Sequence, residues 1–387
     1  MKRNSLLLTL GLLAAITGCS DLFDPEQREH QFLSVSTGGE HSCAVATDGG
    51  IYCWGRGRDG ETGDFRWTDR STPTRIAGDS LYVSVVSGYY HSCGLTESGV
   101  AVCWGWNPYG QLGNGEAYGA HGPGLVTGGL RFSKLTAGAY HTCGLTADGE
   151  AFRWGHNEYG QLGTGSAEGT AAPTPVAGEL RFKDLSAGAL HTCGVSVDGA
   201  AWCWGLNRHG QLGDGTVVGA PEPRRVAGGH RFEAISAGVS HTCALSSARA
   251  AWCWGTNEFG ELGNGSLGRP GLPEITVPDN VVGKYTFDSI SAGAHTTCAV
   301  TTDGRGMCWG RGAFGQIGDG TTYHRNTPRY VFSQGTRFVE ISARGNTHVC
   351  GLTRSRAVYC WGSGEKGQLG SRQTTHSTTP VRVTNTN

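Results

Sequence analysis

The sequence predicts an all-β ring, a seven-bladed β-propeller with four short strands in each blade. Three observations predict it. A Trp-Gly pair returns close to once every fifty residues, at Trp54, Trp104, Trp154, Trp204, Trp254, Trp309 and Trp361. Each pair sits inside one recurring phrase. The fourth copy reads Ala187-Gly188-Ala189-Leu190-His191-Thr192-Cys193-Gly194-Val195, then Asp198-Gly199, Cys203-Trp204-Gly205 and Gly210-Gln211-Leu212-Gly213. Finally, the unit carries four strand signals separated by turn residues, and nothing after Cys19 shows a helical 3.6-residue stripe. Four antiparallel strands repeated seven times describe propeller blades.

One unit justifies the elements in order. Pro175-Val176-Ala177 is a first short strand. Arg181 to Ser186 is a second, although Phe182 and Leu185 break strict alternation. Ala187-Gly188 marks a turn, and His191 to Val195 the next strand. Asp198-Gly199 is a hairpin turn, since glycine accepts positive φ without steric cost. Ala200 to Trp204 returns. In this phase the first unit, beginning at Gln31-Phe32-Leu33-Ser34-Val35, lacks its Pro strand. A matching segment stands at the far end, Thr379-Pro380-Val381-Arg382-Val383. The expectation is a ring closed by the C-terminal strand joining the first blade, which removes an exposed edge.

Stacked repeats share one core, so most of the 387 residues form one domain, residues 31–387. Residues 1–18 read as a signal peptide and 19–30 as a short tether. Lys2 and Arg3 precede an apolar run, Leu6 to Ile16, too short to span a bilayer. The run ends in Ile16-Thr17-Gly18-Cys19, which resembles a bacterial lipobox. That resemblance implies cleavage before Cys19, lipidation there and a place in the cell envelope; Ser20 favours the outer membrane. The formal net charge of −1, without a basic run, argues against nucleic acid. The 65 glycines show no collagen period and read as turns.

Twelve of 14 cysteines form pairs ten residues apart. The pairs are Cys43 with Cys53, Cys93 with Cys103, Cys193 with Cys203, Cys243 with Cys253, Cys298 with Cys308 and Cys350 with Cys360. Each pair straddles a hairpin turn, which places the two residues opposite each other. With export to an oxidising compartment, these are expected to be disulfides. In the third unit Cys143 faces Arg153, so Cys143 is expected to be a free thiol. A metal set such as His191, Cys193 and Cys203 is disfavoured, because structural zinc wants four ligands and reduced thiols. The recurring histidines (His41, His91, His141, His191, His241, His348) read as structural hydrogen bonds on each blade's inner strand. The recurring Trp reads as inter-blade core.

The pattern Ala-Gly-x-x-His-Thr-x-x-Leu, followed by Trp-Gly-x-Asn-x-x-Gly-Gln-Leu-Gly, resembles the repeat of the regulator-of-chromosome-condensation (RCC1) family across residues 31–385. The resemblance implies seven four-stranded blades. Departures occur at Gly60-Glu61-Thr62-Gly63, at the hairpin turns Ser247-Ala248-Arg249 and Arg354-Ser355-Arg356, and at a histidine shifted to His295. Exported bacterial propellers of this kind include a β-lactamase inhibitory protein, which acts by binding. The family namesake exchanges nucleotide on a small GTPase, an alternative that the export signal opposes.

No phosphate loop, nucleophile elbow or metalloprotease motif is present, and no cofactor or metal is expected. Function is therefore sought where the chain breaks its repeat. The candidates are Arg58 and Trp67 in the first unit, Trp106, Tyr109 and Tyr118 in the second, and Arg269 in the longer stretch Ser266–Lys284. Exposed aromatics and Arg suit a binding surface. The expectation is a monomeric, non-catalytic scaffold that binds a protein or cell-surface polymer on one face. Its only membrane contact would be a lipid anchor. A propeller hydrolase or lyase is the weaker alternative.

Overall fold

The computed structural model describes residues 30–268 and 274–384. The lipobox with Cys19, and Arg269, lie outside the described residues. Among the described residues, twenty-eight strands form seven four-stranded antiparallel sheets, each built from four strands consecutive in sequence. Blade four shows the plan: Phe182–Ala187, His191–Ser196, Ala201–Gly205 and Ala220–Arg225. The first strands lie around the axis, where the ends of five of them line one small opening. The fourth strand lies at the rim and carries proline at its fourth residue in every blade, at Pro73, Pro123, Pro173, Pro223, Pro278, Pro328 and Pro380. Proline cannot donate to a ladder, so it belongs on a sheet edge, which it also protects.

The broken alternation has a cause. The register shifts between Phe182 and Asp184, and the same irregularity recurs at the corresponding place in five other blades. This bulge lets Phe182 and Leu185 both reach the core, where they are buried.

The structure corrects the expected closure. Phe32–Thr37 is the first strand of a complete first blade whose fourth strand is Arg70–Arg75. The C-terminal strand, Ser377–Arg382, pairs with Val358–Gly362 of the seventh blade. The Pro strand follows the Trp-Gly hairpin as the rim strand of the same blade. A period is the same wherever it is cut, so spacing alone could not reveal this phase.

The ring closes instead between the first and seventh blades, with the bonds used at other seams. Trp54 Nε1 donates to the Gln368 carbonyl at 2.9 Å, as Trp204 does to Gln161 at 3.0 Å. His348 Nε2 meets Ser42 Oγ at 2.8 Å, as His191 meets Thr242 at 2.9 Å. Six histidines make this bond from the second strand, not the inner strand, to a hydroxyl of the next blade. The seam between blades six and seven lacks it. There Thr296 stands at the histidine position and the buried Val349 at the hydroxyl position. Both partners of the bond are absent together, so neither is left buried and unpaired.

Two glycines of the repeat follow from this packing. A Cβ on Gly188 would sit 2.6 Å from His191 Cε1, and one on Gly213 would sit 2.6 Å from Trp254 Nε1. Each small residue makes room for the ring that binds the seam.

All six ten-spaced cysteine pairs are bonded. Cys43 joins Cys53, Cys93 joins Cys103, and Cys193 joins Cys203. Cys243 joins Cys253, Cys298 joins Cys308, and Cys350 joins Cys360. In each pair the Cα atoms are 4.1 Å apart, because the two residues face each other across the second and third strands. The two hairpin turns that lack the glycine are retained, with Arg249 (φ 60°) and Arg356 (φ 63°) in the left-handed region that glycine holds elsewhere. In blade three Cys143 is free and buried, directly opposite the buried Arg153. That guanidinium lies 3.8 Å over the Trp204 ring and donates to the Leu162 carbonyl at 3.1 Å. Its Nε and Nη2 have no hydrogen-bond partner. Burial pushes the Cys143 thiol up and Arg153 down to about 10.

Arg153→Cys should therefore form a seventh bridge and remove a buried cation with two unpartnered N–H groups, stabilising the fold by about 2–4 kcal/mol. Thiol titration in denaturant checks it. Apart from Cys19, the native sequence should give one thiol and the variant none. Two thiols in the variant would contradict the expectation.

Candidate binding face

Turns between first and second strands, and the long loops between third and fourth strands, all emerge on one face of the ring. Two repeat positions on this face vary freely: the residue before the seam histidine and the residue after the Trp-Gly pair. In blades two and three these are Tyr90 and Trp106, then Tyr140 and His156. They join Tyr109 and Tyr159 from the long loops and Tyr89 from a first turn.

The rings form a continuous cluster. Trp106 lies 5.6 Å from Tyr90, 5.7 Å from Tyr109 and 5.9 Å from Tyr140. Tyr109 contacts Tyr140 at 5.6 Å and His156 at 4.7 Å, and His156 reaches Tyr159 at 6.3 Å. Tyr89 touches Tyr90 at 6.2 Å and lines the axial opening with Arg344. The cluster thus runs from the axis outward across two blades. Most contacts are tilted or edge-to-face, the favoured geometry for aromatic pairs, so the rings brace one another. Tyr109 is 41% exposed, while Tyr90, Trp106, Tyr140 and His156 are half-buried. Burial pushes the Tyr89 and Tyr140 phenols up and His156 down, so these rings are neutral near pH 7.

An ionic group borders the cluster. Arg56 lies 4.9 Å over the Tyr90 ring. It pairs with Asp59 at 2.5 Å and with the fully buried Glu61 at 2.6 Å. Glu61 stands where most units have Gln, and it keeps that residue's turn bond by accepting the Asp59 N–H at 2.9 Å. Burial pushes its carboxyl up to about 7 against the pull of Arg56. Glu261 repeats the substitution, with His295 Nδ1 at 3.2 Å. The shifted histidine of the sixth unit therefore serves this carboxylate.

At the axis Arg344, an extra residue in the seventh inner turn, donates to the carbonyls of Ala137 at 3.0 Å and Ala187 at 3.3 Å, and to Ser186 Oγ at 2.8 Å. It ties blade seven to blades three and four and closes the axis. The small space left there, lined mainly by Ala and Gly, holds no reactive set. Among the described residues no three His, Cys, Asp or Glu side chains gather as a metal site.

Of the residues singled out in the sequence, Trp106 and Tyr109 meet in the cluster. Arg58, Trp67 and Tyr118 lie exposed in long loops of the same face, outside it. Trp67 and the nearby Phe65 take left-handed backbone at φ 53° and 59°. The cluster residues that sequence reasoning missed are Tyr89, Tyr90, Tyr140, His156 and Tyr159. Their signal was variation at fixed repeat positions, where aromatics appear in two consecutive units.

Comparison with known proteins matches this architecture. The RCC1-like domain pattern covers residues 19–266, and the regulator of chromosome condensation (RCC1) repeat recurs at 287–316 and 338–368. The chain belongs to the RCC1-like family. It is 36% identical over 93 residues to the human E3 ubiquitin-protein ligase HERC2, a match covering 24% of this chain and 2% of that protein. It is 33% identical over 107 residues to the ultraviolet-B receptor UVR8 of Arabidopsis thaliana, covering 27% of this chain and 24% of the receptor. Among solved structures, Prp20p of Saccharomyces cerevisiae superposes with a TM-score of 0.76 at 21% identity, over 92% of this chain and 88% of that one. An RCC1-like propeller is a protein-interaction fold.

Proposed function

We propose that this chain is an exported, lipid-anchored scaffold that binds a protein partner through the Tyr90–Trp106–Tyr109–Tyr140 cluster and performs no catalysis. The observation that carries the reading is the cluster itself, a half-exposed group of Tyr and Trp braced on a rigid face. Tyr and Trp anchors dominate interface energetics. A propeller face is broad enough for a standard interface, on the order of 800 Å² per partner. The structural relative Prp20p was described with its binding to Gsp1p and histones, which supports a protein as the class of partner. Absence of catalysis is inferred because the recurring histidines on this face are committed to seam bonds and its best-placed carboxylates, Asp59 and Glu61, to an ion pair with Arg56.

The test is capture from native envelope extract by the folded chain, with half the extract treated beforehand with protease. Loss of the captured species after protease supports a protein. Survival would point to a surface polymer and contradict the reading. The anchor is tested separately. Cys19→Ala should move the protein from the membrane to the soluble fraction or block its processing. Retention of the variant on membranes after a carbonate wash would refute lipidation.

A further inference from the structure

We propose that the face opposite the aromatic cluster docks on an anionic lipid surface; this rests on the lipid-anchored reading above. The observation is a sector of three adjacent blades in which one exposed inner-strand position is apolar. Leu33, Val83 and Val339 occupy one repeat position on the inner strands of three adjacent blades, the first, second and seventh. They are 46%, 49% and 46% exposed. Leu81, two residues before Val83, is 62% exposed. At the same position the other four blades carry Ser133, Lys183, Glu233 and Asp288. At this repeat position the apolar side chains are thus confined to one sector, although Val197 in the hairpin of blade four and Phe332 in the loop before blade seven are also exposed.

The sector lies where the chain enters the fold. Phe32 N donates to the Arg356 carbonyl at 2.8 Å, which sets the seventh blade's hairpin against the start of the first strand. Cys19 precedes His30 by eleven positions, a reach of at most about 40 Å. A lipid on Cys19 would hold this face within reach of the bilayer. Charge agrees. Arg131, Arg337, Arg354 and Arg356 are exposed around the sector against two exposed carboxylates, Asp79 and Glu97, while Arg75 pairs with Asp48 at 3.7 Å. Apolar side chains bordered by arginines suit the headgroup region of an anionic leaflet. Four apolar side chains are too few for a stable interface with a second copy, which needs roughly 20–30 residues a side. One lipid chain alone binds reversibly, so a docking face supplies a second attachment. The aromatic face would then point away from the membrane, towards its partner.

The experiment uses the full lipidated chain in vesicles of phosphatidylcholine and phosphatidylglycerol carrying doxyl-labelled lipid. A fluorophore is attached at Val83→Cys or, on the other face, at Val218→Cys, where the native side chain is 70% exposed. Quenching at 83 should exceed that at 218 at least about twofold. The difference should shrink in vesicles without phosphatidylglycerol, and when Leu33, Leu81 and Val339 are changed to Ser. Equal quenching at both sites overturns the docking face. A probe at 83 that is shielded but unquenched, with doubled mass, assigns the face to a second copy and also overturns it. Failure of the anchor is read independently. If Cys19→Ala floats with vesicles as well as the native chain does, lipidation is not the tether, and the same two probes on that variant still decide the face.

Discussion

Acidification from pH 7 to pH 4 should unfold the propeller cooperatively, with a midpoint between about pH 4 and 6. The six seam histidines are buried, and each gives Nε2 to a neighbouring hydroxyl while Nδ1 has no partner. Burial holds five of them down at about 3, and the sixth, His141, well below its ordinary value of 6.5. Protonation would leave a buried charged N–H without an acceptor. These groups have lowered folded values, so the unfolded chain binds protons first as the pH falls. Their contribution is complete above pH 6.5 and is lost between 6.5 and 3. Six rings acting together can remove up to about 8 kcal/mol per pH unit well below 6.5, against a total stability of roughly 5–15 kcal/mol. Glu61 and Glu340, both pushed up to about 7 by burial, act in the opposite direction between 4.5 and 7, but they are two against six. Near-ultraviolet circular dichroism against pH measures this. A native signal preserved at pH 4 would contradict it, whether or not the disulfides remain closed.

The second large effect is on binding. Replacing Trp106 and Tyr109 together by Ala should weaken the captured partner at least about 100-fold, since central aromatic anchors each cost about 2 kcal/mol or more on truncation. The two rings touch, so their losses will not simply add. Neither ring belongs to the buried core, and the melting temperature should change little. Trp104→Ala is the contrasting control. That ring is fully buried and donates to the Glu61 carbonyl at 2.9 Å, so its loss should cost about 3–5 kcal/mol of folding stability. If the double variant binds normally while remaining folded, the cluster is not the interface.

Much of the fold was legible because each repeat position carries one physical demand seven times. Trp204 and its equivalents had to be core, and the ten-residue spacing of Cys193 and Cys203 had to put sulfurs opposite each other across a hairpin. The phase of the blades was not legible. Pro380 looks equally suited to starting a blade or ending one until hydrogen-bond partners are known. The partner of His191 was hidden for a related reason: Thr242 lies fifty-one residues away and becomes a neighbour only when successive blades stack. The binding face was half legible. Trp106 and Tyr109 announced themselves as departures from the repeat. Tyr90 and Tyr140 did not, because each looked like ordinary variation beside a conspicuous histidine, and only curvature of the ring brings them together.

The central claim is that a protein partner sits on the aromatic face. It is tested most directly by photo-crosslinking in the native envelope, with a photoreactive amino acid placed at Tyr109 or, on the opposite face, at Val83. A protein adduct of defined mass should form from position 109 and not from position 83. Adducts from position 83 alone, or no protein adduct from position 109 in the presence of the captured partner, would contradict the account.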